Sequence, residues 1–178
     1  MKKVLFISLI FFLLTGLQTS AQRSGSAEKF GSTLNLGLGI GGYAGYYGYI
    51  GETLPVFHLN FEFDVARNFT LAPFITFYTY RSDHYRETVI PMGVKGSYYF
   101  DQLLKANPRW DFYLAGSLGF AVVNSRWDNN YDGDRKYYHS GSPLFLDIHA
   151  GTEYHFNNHI GMFLDLSTGV STIGLAFH

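Results

Sequence analysis

Three groups of residues in this 178-residue chain have the types and spacing that could do chemistry. The first is a set of polar positions: His58, Asn60, Glu62 and Asp64 at every second residue, Lys95, then Asp147, His149, Glu153 and His155, and Asp165. Histidines beside carboxylates can hold a metal ion or move protons. No ligand spacing such as H-E-x-x-H accompanies them, however. The second group, Asp128-x-Asn130-x-Asp132-Gly133-Asp134, matches the first half of a calcium loop, in which alternate oxygens converge on one ion. The glutamate that should close such a loop would fall at position 139, which is histidine. The same residues also read as a hairpin with Asp132-Gly133 at its tip and Trp127 across from Tyr138. Whether Asp128, Asn130, Asp132 and Asp134 bind calcium is therefore left open by the sequence. The third group, Gly37, Gly39 and Gly42, fits G-x-G-x-x-G, but a dinucleotide site needs a helix to start there, and YAGYYGYIGE does not start one.

The elements that position these residues are strands. From Val56 to Tyr80 the chain alternates at period two. Phe57, Leu59, Phe61, Phe63 and Val65 share one face, with His58, Asn60, Glu62 and Asp64 on the other. After Ala66-Arg67-Asn68 the apolar face resumes with Phe69, Leu71, Ile75 and Phe77. Large apolar side chains backed by an unbroken polar row are what a membrane-spanning barrel strand requires, with lipid outside and a polar lumen inside.

The same pattern predicts eight strands. The first covers Ser32 to Tyr43, with glycines facing inward to leave room for larger side chains across the lumen. The Val56–Tyr80 hairpin supplies two more, with a bulge expected at Pro73 because proline lacks a ladder donor. A loop at Ser82 to Glu87 leads to the fourth, Thr88 to Phe100, and residues 101–109 break the alternation and suit a short helical turn. Asp111 to Asn124 and Leu144 to Phe156 are the fifth and sixth. A turn at Asn157-Asn158-His159 precedes the seventh, which ends near Ser167, and the eighth runs from Ser171 to His178. The fold class expected is all-β, an eight-stranded antiparallel up-and-down transmembrane β-barrel. Bulky inward residues (Phe74, Tyr78, Tyr99, Phe145 and Phe163) argue against a pore.

Residues 1–21 read as an export signal: Lys2 and Lys3, an apolar run from Val4 to Leu14, and the small residues Thr19-Ser20-Ala21 before the cut. Residues 22–178 then form the barrel domain. The chain has no cysteine, which excludes disulfides and a lipidated cysteine after the signal. A net charge of −1 gives no footprint for nucleic acid. Fourteen tyrosines and seventeen phenylalanines suit the aromatic girdles of a barrel. Short turns then face the periplasm, together with both termini, and long loops face outside. Tyr46, Tyr47 and Tyr49 are expected as interface aromatics of the first loop.

Three segments, IPMGVKGSYYF (Ile90–Phe100), FYLAGSLGF (Phe112–Phe120) and LDIHAGTEYHF (Leu146–Phe156), resemble strands of the small outer-membrane β-barrel family that includes PorT-like proteins and OmpX-type barrels. The resemblance implies the fold and the cell outer membrane, and no particular activity. Phe177 is followed by His178, whereas many such barrels end on the aromatic itself. The role expected is structural or surface-interacting, with outer-membrane lipid around the barrel and a protein or polysaccharide partner at the external loops. Ser125 to Ser142 is the leading loop, for its Trp127, Tyr131, Tyr137, Tyr138, Arg126, Arg135 and Lys136. The alternatives are a lipid A-modifying enzyme, a small pore or a secretion-associated barrel. For the enzyme, the deacylase element His-x-Ser is approached only by His139-Ser140-Gly141-Ser142, at the wrong spacing. No catalytic, cofactor-binding or metal residue is assigned, and no cofactor is called for.

Overall fold

The computed structural model describes residues 32–42, 53–82, 84–127 and 144–178. Eight antiparallel strands close into a barrel in sequence order: β1 Ser32–Gly41, β2 Val56–Ala66, β3 Phe69–Ser82, β4 Tyr85–Tyr99, β5 Trp110–Trp127, β6 Leu144–His155, β7 Ile160–Ser167 and β8 Val170–Phe177. Closure is made by β1 against β8, from Leu34↔Phe177 to Gly41↔Val170. Closure removes the two open edges that a flat sheet of these eight strands would have. One short helix, α1 (Asp101–Leu104), lies between β4 and β5 where the alternation breaks.

The alternation is realised as expected. Leu36, Leu38, Phe57, Phe61, Phe77, Leu118, Leu146, Leu164 and Ile173 all point outward and are exposed, while Asn35, Asn60, Glu62, Phe74, Lys95, Asp147, His149 and Asp165 are buried inside. Soluble monomers rarely expose an apolar surface this continuous. Along β5 it runs from Trp110 to Val122, followed by the polar Asn124 and Arg126. Twelve residue steps at about 3.4 Å, tilted by roughly 40°, give a belt about 30 Å tall, the thickness of a hydrocarbon core. At one end Trp110 stacks on Phe112 (6.2 Å) and meets Tyr154 (4.9 Å), which touches Phe156 (5.5 Å), forming part of an aromatic girdle.

That end, the turn end, also carries the start of β1, the end of β8 and the β2–β3, β4–β5 and β6–β7 connections, while the loop end has two-residue links of its own, between β3 and β4 and between β7 and β8. Asn68 adopts φ 56° in the β2–β3 turn, a conformation asparagine tolerates. In the β6–β7 turn Asn157 Oδ1 accepts from the amides of His159 (2.8 Å) and Ile160 (3.0 Å).

Four differences from the sequence reading stand out. Pro73 sits in register opposite Val94, and the β2–β3 ladder keeps one register from Asn60↔Phe74 to Phe63↔Leu71. The bulge lies instead between Asp64 and Ala66, beside the turn. A missing donor removes one bond and does not require an extra residue. Second, β3 and β4 continue to Ser82 and from Tyr85, so the expected loop Ser82–Glu87 shrinks to two residues. Third, β5 continues to Trp127 because its inward face finds partners: Tyr85 pairs with Trp127, their rings 4.6 Å apart. Fourth, β1 ends at Gly41 and not at Tyr43. The leader, Tyr46, Tyr47 and Tyr49, the Asp128–Asp134 motif and the Ser140-containing segment lie outside the described residues.

Candidate functional site

The predicted lumen set comes together as three connected layers. In the middle, Lys95 Nζ donates to Asp165 (2.9 Å), as do the Tyr113 hydroxyl (2.8 Å) and His149 Nδ1 (2.7 Å). With Nδ1–H so committed, His149 Nε2 faces the Ser117 hydroxyl at 2.9 Å. His58 lies alongside, bonded to Thr76 (2.8 Å) and to Asn60 (3.2 Å). Toward the turn end, Glu62 accepts from Thr70, from Tyr99 (2.6 Å) and from Asn35 at 3.5 Å. Asn35 in turn donates to Asn60 (2.9 Å). Asp147, on the loop side, accepts from Thr168 (3.0 Å). Buried charges survive when paired and hydrogen-bonded: Lys95 and His149 both pair with Asp165, whereas Asp147 is held through Oδ1 by Thr168, with Oδ2 buried and unpartnered.

The third layer closes the turn-end mouth. His155 Nε2 donates to Asp111 (2.7 Å), and His178 Nε2 to Glu153 (2.7 Å). Thr33 bonds the other nitrogen of His178 at 3.0 Å. Asp64, grouped with these residues by sequence, sits at the bulge end of β2 and is half-buried.

Small residues make this packing fit. A Cβ on Gly151 would lie 2.1 Å from the Tyr113 ring, and one on Gly37 3.0 Å from Phe163. This is the room that the inward glycines were expected to leave. Toward the loop end the filling turns apolar, with Val56, Phe74, Tyr78, Tyr80, Tyr85, Val89, Ala121, Phe145 and Val170 buried together.

Ser117, His149 and Asp165 have the hydrogen-bond order of a nucleophile, base and orienting acid. Sequence reasoning sought a serine two residues from a histidine; this one comes from the neighbouring strand, 32 residues away. The only available signal was its inward parity on β5. The void beside it, lined by His58, Phe74, Lys95, Ser117, His149, Asp165, Val170 and Thr172, measures about 10 Å³. That is room for about one water and not for a substrate. Asp111, Tyr113 and His178 were likewise missed as members of the network.

No protein-family model matches the chain, and no curated protein matches it in sequence. Solved structures do. Neisserial surface protein A (NspA) is 10% identical over 82% of this chain and 94% of its own, with a TM-score of 0.52. The fold is that of a small transmembrane barrel. A de novo designed transmembrane β-barrel (10% identity, 85% and 98% covered, TM-score 0.48) and the Yersinia pestis outer membrane protein Ail (8%, 83% and 98%, 0.44) also match.

Proposed function

We propose that the protein is an exported outer-membrane barrel that acts through its external loops, as a surface-interaction module and not as a channel. The observation that carries this reading is the asymmetry of the barrel. The lumen is filled, the lipid face is committed to the bilayer, and β3, β4 and β5 run beyond the apolar belt at the loop end only. Chemistry offered to a partner must then come from that end. Three exposed arginines mark the projection: Arg81 lies opposite Arg86, and Arg86 opposite Arg126. A threonine–threonine–asparagine row (Thr79, Thr88, Asn124) and then the apolar Phe77, Ile90 and Val122 lie on the same face below them. A row of arginines over an apolar wall complements phosphate groups at the surface of an outer leaflet. This supports placing the loop end outside and the turn end, with both termini, in the periplasm. NspA is by its name a surface protein. The same placement is proposed here.

The test replaces Asp128 through Lys136 with an Asn-Gly turn. Heat-modifiable mobility of the folded barrel on gels is expected to survive while binding to cells, surface polymer or protein partner is lost. Intact binding would move the functional surface to the first loop.

The Ser117–His149–Asp165 arrangement favours a second reading, a lipid A-modifying enzyme, against which the enclosed void argues. Ser117→Ala separates the two: a nucleophile's removal abolishes a lipid A product, whereas a structural hydroxyl's removal changes stability alone.

A further inference from the structure

We infer that the turn-end mouth is a binding site for one first-row transition-metal dication, of which Zn²⁺ is the reference, held by Glu153, His155 and His178. Glu153 Oε1 lies 2.7 Å from His178 Nε2 and 3.8 Å from His155 Nδ1. All three donor atoms fall within 4.8 Å of one another. Ligands at about 2.0–2.1 Å from a tetrahedral zinc sit roughly 3.4 Å apart, between the two observed separations. Small side-chain shifts at an open mouth would bring the three donors to that spacing. Two imidazoles and one carboxylate are a donor set for zinc and its neighbours, not for calcium or magnesium, which take oxygen.

The surroundings are organised for this. A metal-ligating histidine usually donates its other N–H to a carboxylate or other acceptor, which orients the ring. His155 presents Nδ1 to the cluster while Nε2–H is fixed by Asp111 at 2.7 Å. His178 presents Nε2 while Nδ1 faces the Thr33 hydroxyl at 3.0 Å, an oxygen able to accept once the ion takes Nε2. Gly161 leaves the space that the Glu153 carboxylate occupies, since a Cβ there would stand 2.2 Å from Oε1. The side chains of His155 and His178 are 23% and 18% exposed, whereas those of Glu153 and Asp111 stay below 10%. An ion therefore has an entry path, and a fourth position faces solvent. The ligands come from β6 and from the residue after β8, beside the β1–β8 closure. The ion would tie β6 to the residue after β8, across the intervening β7.

Three measurements on the folded, detergent-solubilised full chain test this. In the first, Zn²⁺ is titrated in competition with a chromogenic chelator. One tight equivalent is expected, weakened at least tenfold by Glu153→Gln, His155→Ala or His178→Ala, about tenfold by Asp111→Asn, and not at all by His84→Ala. In the second, which uses wild-type protein only, Co²⁺ should give an intense visible spectrum of a low-coordinate site. At a hundred times Kd, Zn²⁺ should also shift the folding equilibrium about a hundredfold against a chelator control. No tight equivalent, affinity equal in the ligand variants and in His84→Ala, or a weak octahedral Co²⁺ spectrum would each overturn the site.

Discussion

At the scale of single residues the lumen behaves as a hydrophobic core does elsewhere, except that its members are charged. Lys95 stands 2.9 Å from Asp165 and 5.0 Å from the centre of the Tyr113 ring. Removing one partner of a buried pair leaves the other unbalanced, typically at about 3–5 kcal/mol, while replacing both by apolar groups is often neutral. Lys95→Met should therefore cost about that much in urea unfolding of the lipid-embedded barrel. Lys95→Met with Asp165→Asn, which removes both charges and keeps an acceptor for Tyr113 and His149, should recover part of it, and strictly additive losses would show that the two do not act as a pair. The inward position of both residues was legible from parity alone. Their pairing was not, because they lie 70 residues apart on β4 and β7, across the lumen. How far strands are staggered around the barrel decides which inward residues meet, and no local pattern carries that stagger. His178 shows the same limit from the other side: the sequence marks it as a residue following a terminal aromatic, while the fold places it against Glu153.

At the scale of the strand, one face answers to lipid and the other to the network. Phe61 is 45% exposed in mid-belt, opposite Leu34. Phe61→Arg should cost about 2–4 kcal/mol in refolding titrations. Its inward neighbour Asn60 is buried and bonded to Asn35, so Asn60→Ser should lose about 1 kcal/mol, less than the charge on the lipid face. Equal penalties at the two sites would mean the faces are misassigned. Strand ends were less legible than strand faces. Tyr85 and Glu87 read as loop residues until β5 is present to bury them, and Tyr85 and Ser125 both bond Glu87. The arginine row belongs to the same extension. Like charges directly opposite on neighbouring strands destabilise a sheet by up to about 1 kcal/mol unless an anion lies between them. Arg86→Gln should thus slightly stabilise the barrel in zwitterionic detergent and weaken it in vesicles rich in phosphate-bearing anionic lipid. The same sign in both media would remove the case for phosphate contact.

At the scale of the whole molecule, eight strands set the bore and the side chains close it. An eight-stranded barrel is just wide enough for inward side chains to meet across its axis. Here they do so in successive layers. Glu62, Tyr99 and Asn60 come first, then Lys95, Asp165, Tyr113 and His149, and then Phe74 against Phe145, their rings 6.2 Å apart. Tyr78 and Val89 lie beyond these, fully buried. Ion passage would require the middle layer to part, which means separating the buried Lys95 from Asp165. It would also require displacing several aromatic rings at once. Purified protein in planar bilayers should therefore give no steady current at voltages that open no defects in the lipid itself. Reproducible steps of porin size would sink the closed-lumen description, and with it the argument that the external loops must do the work.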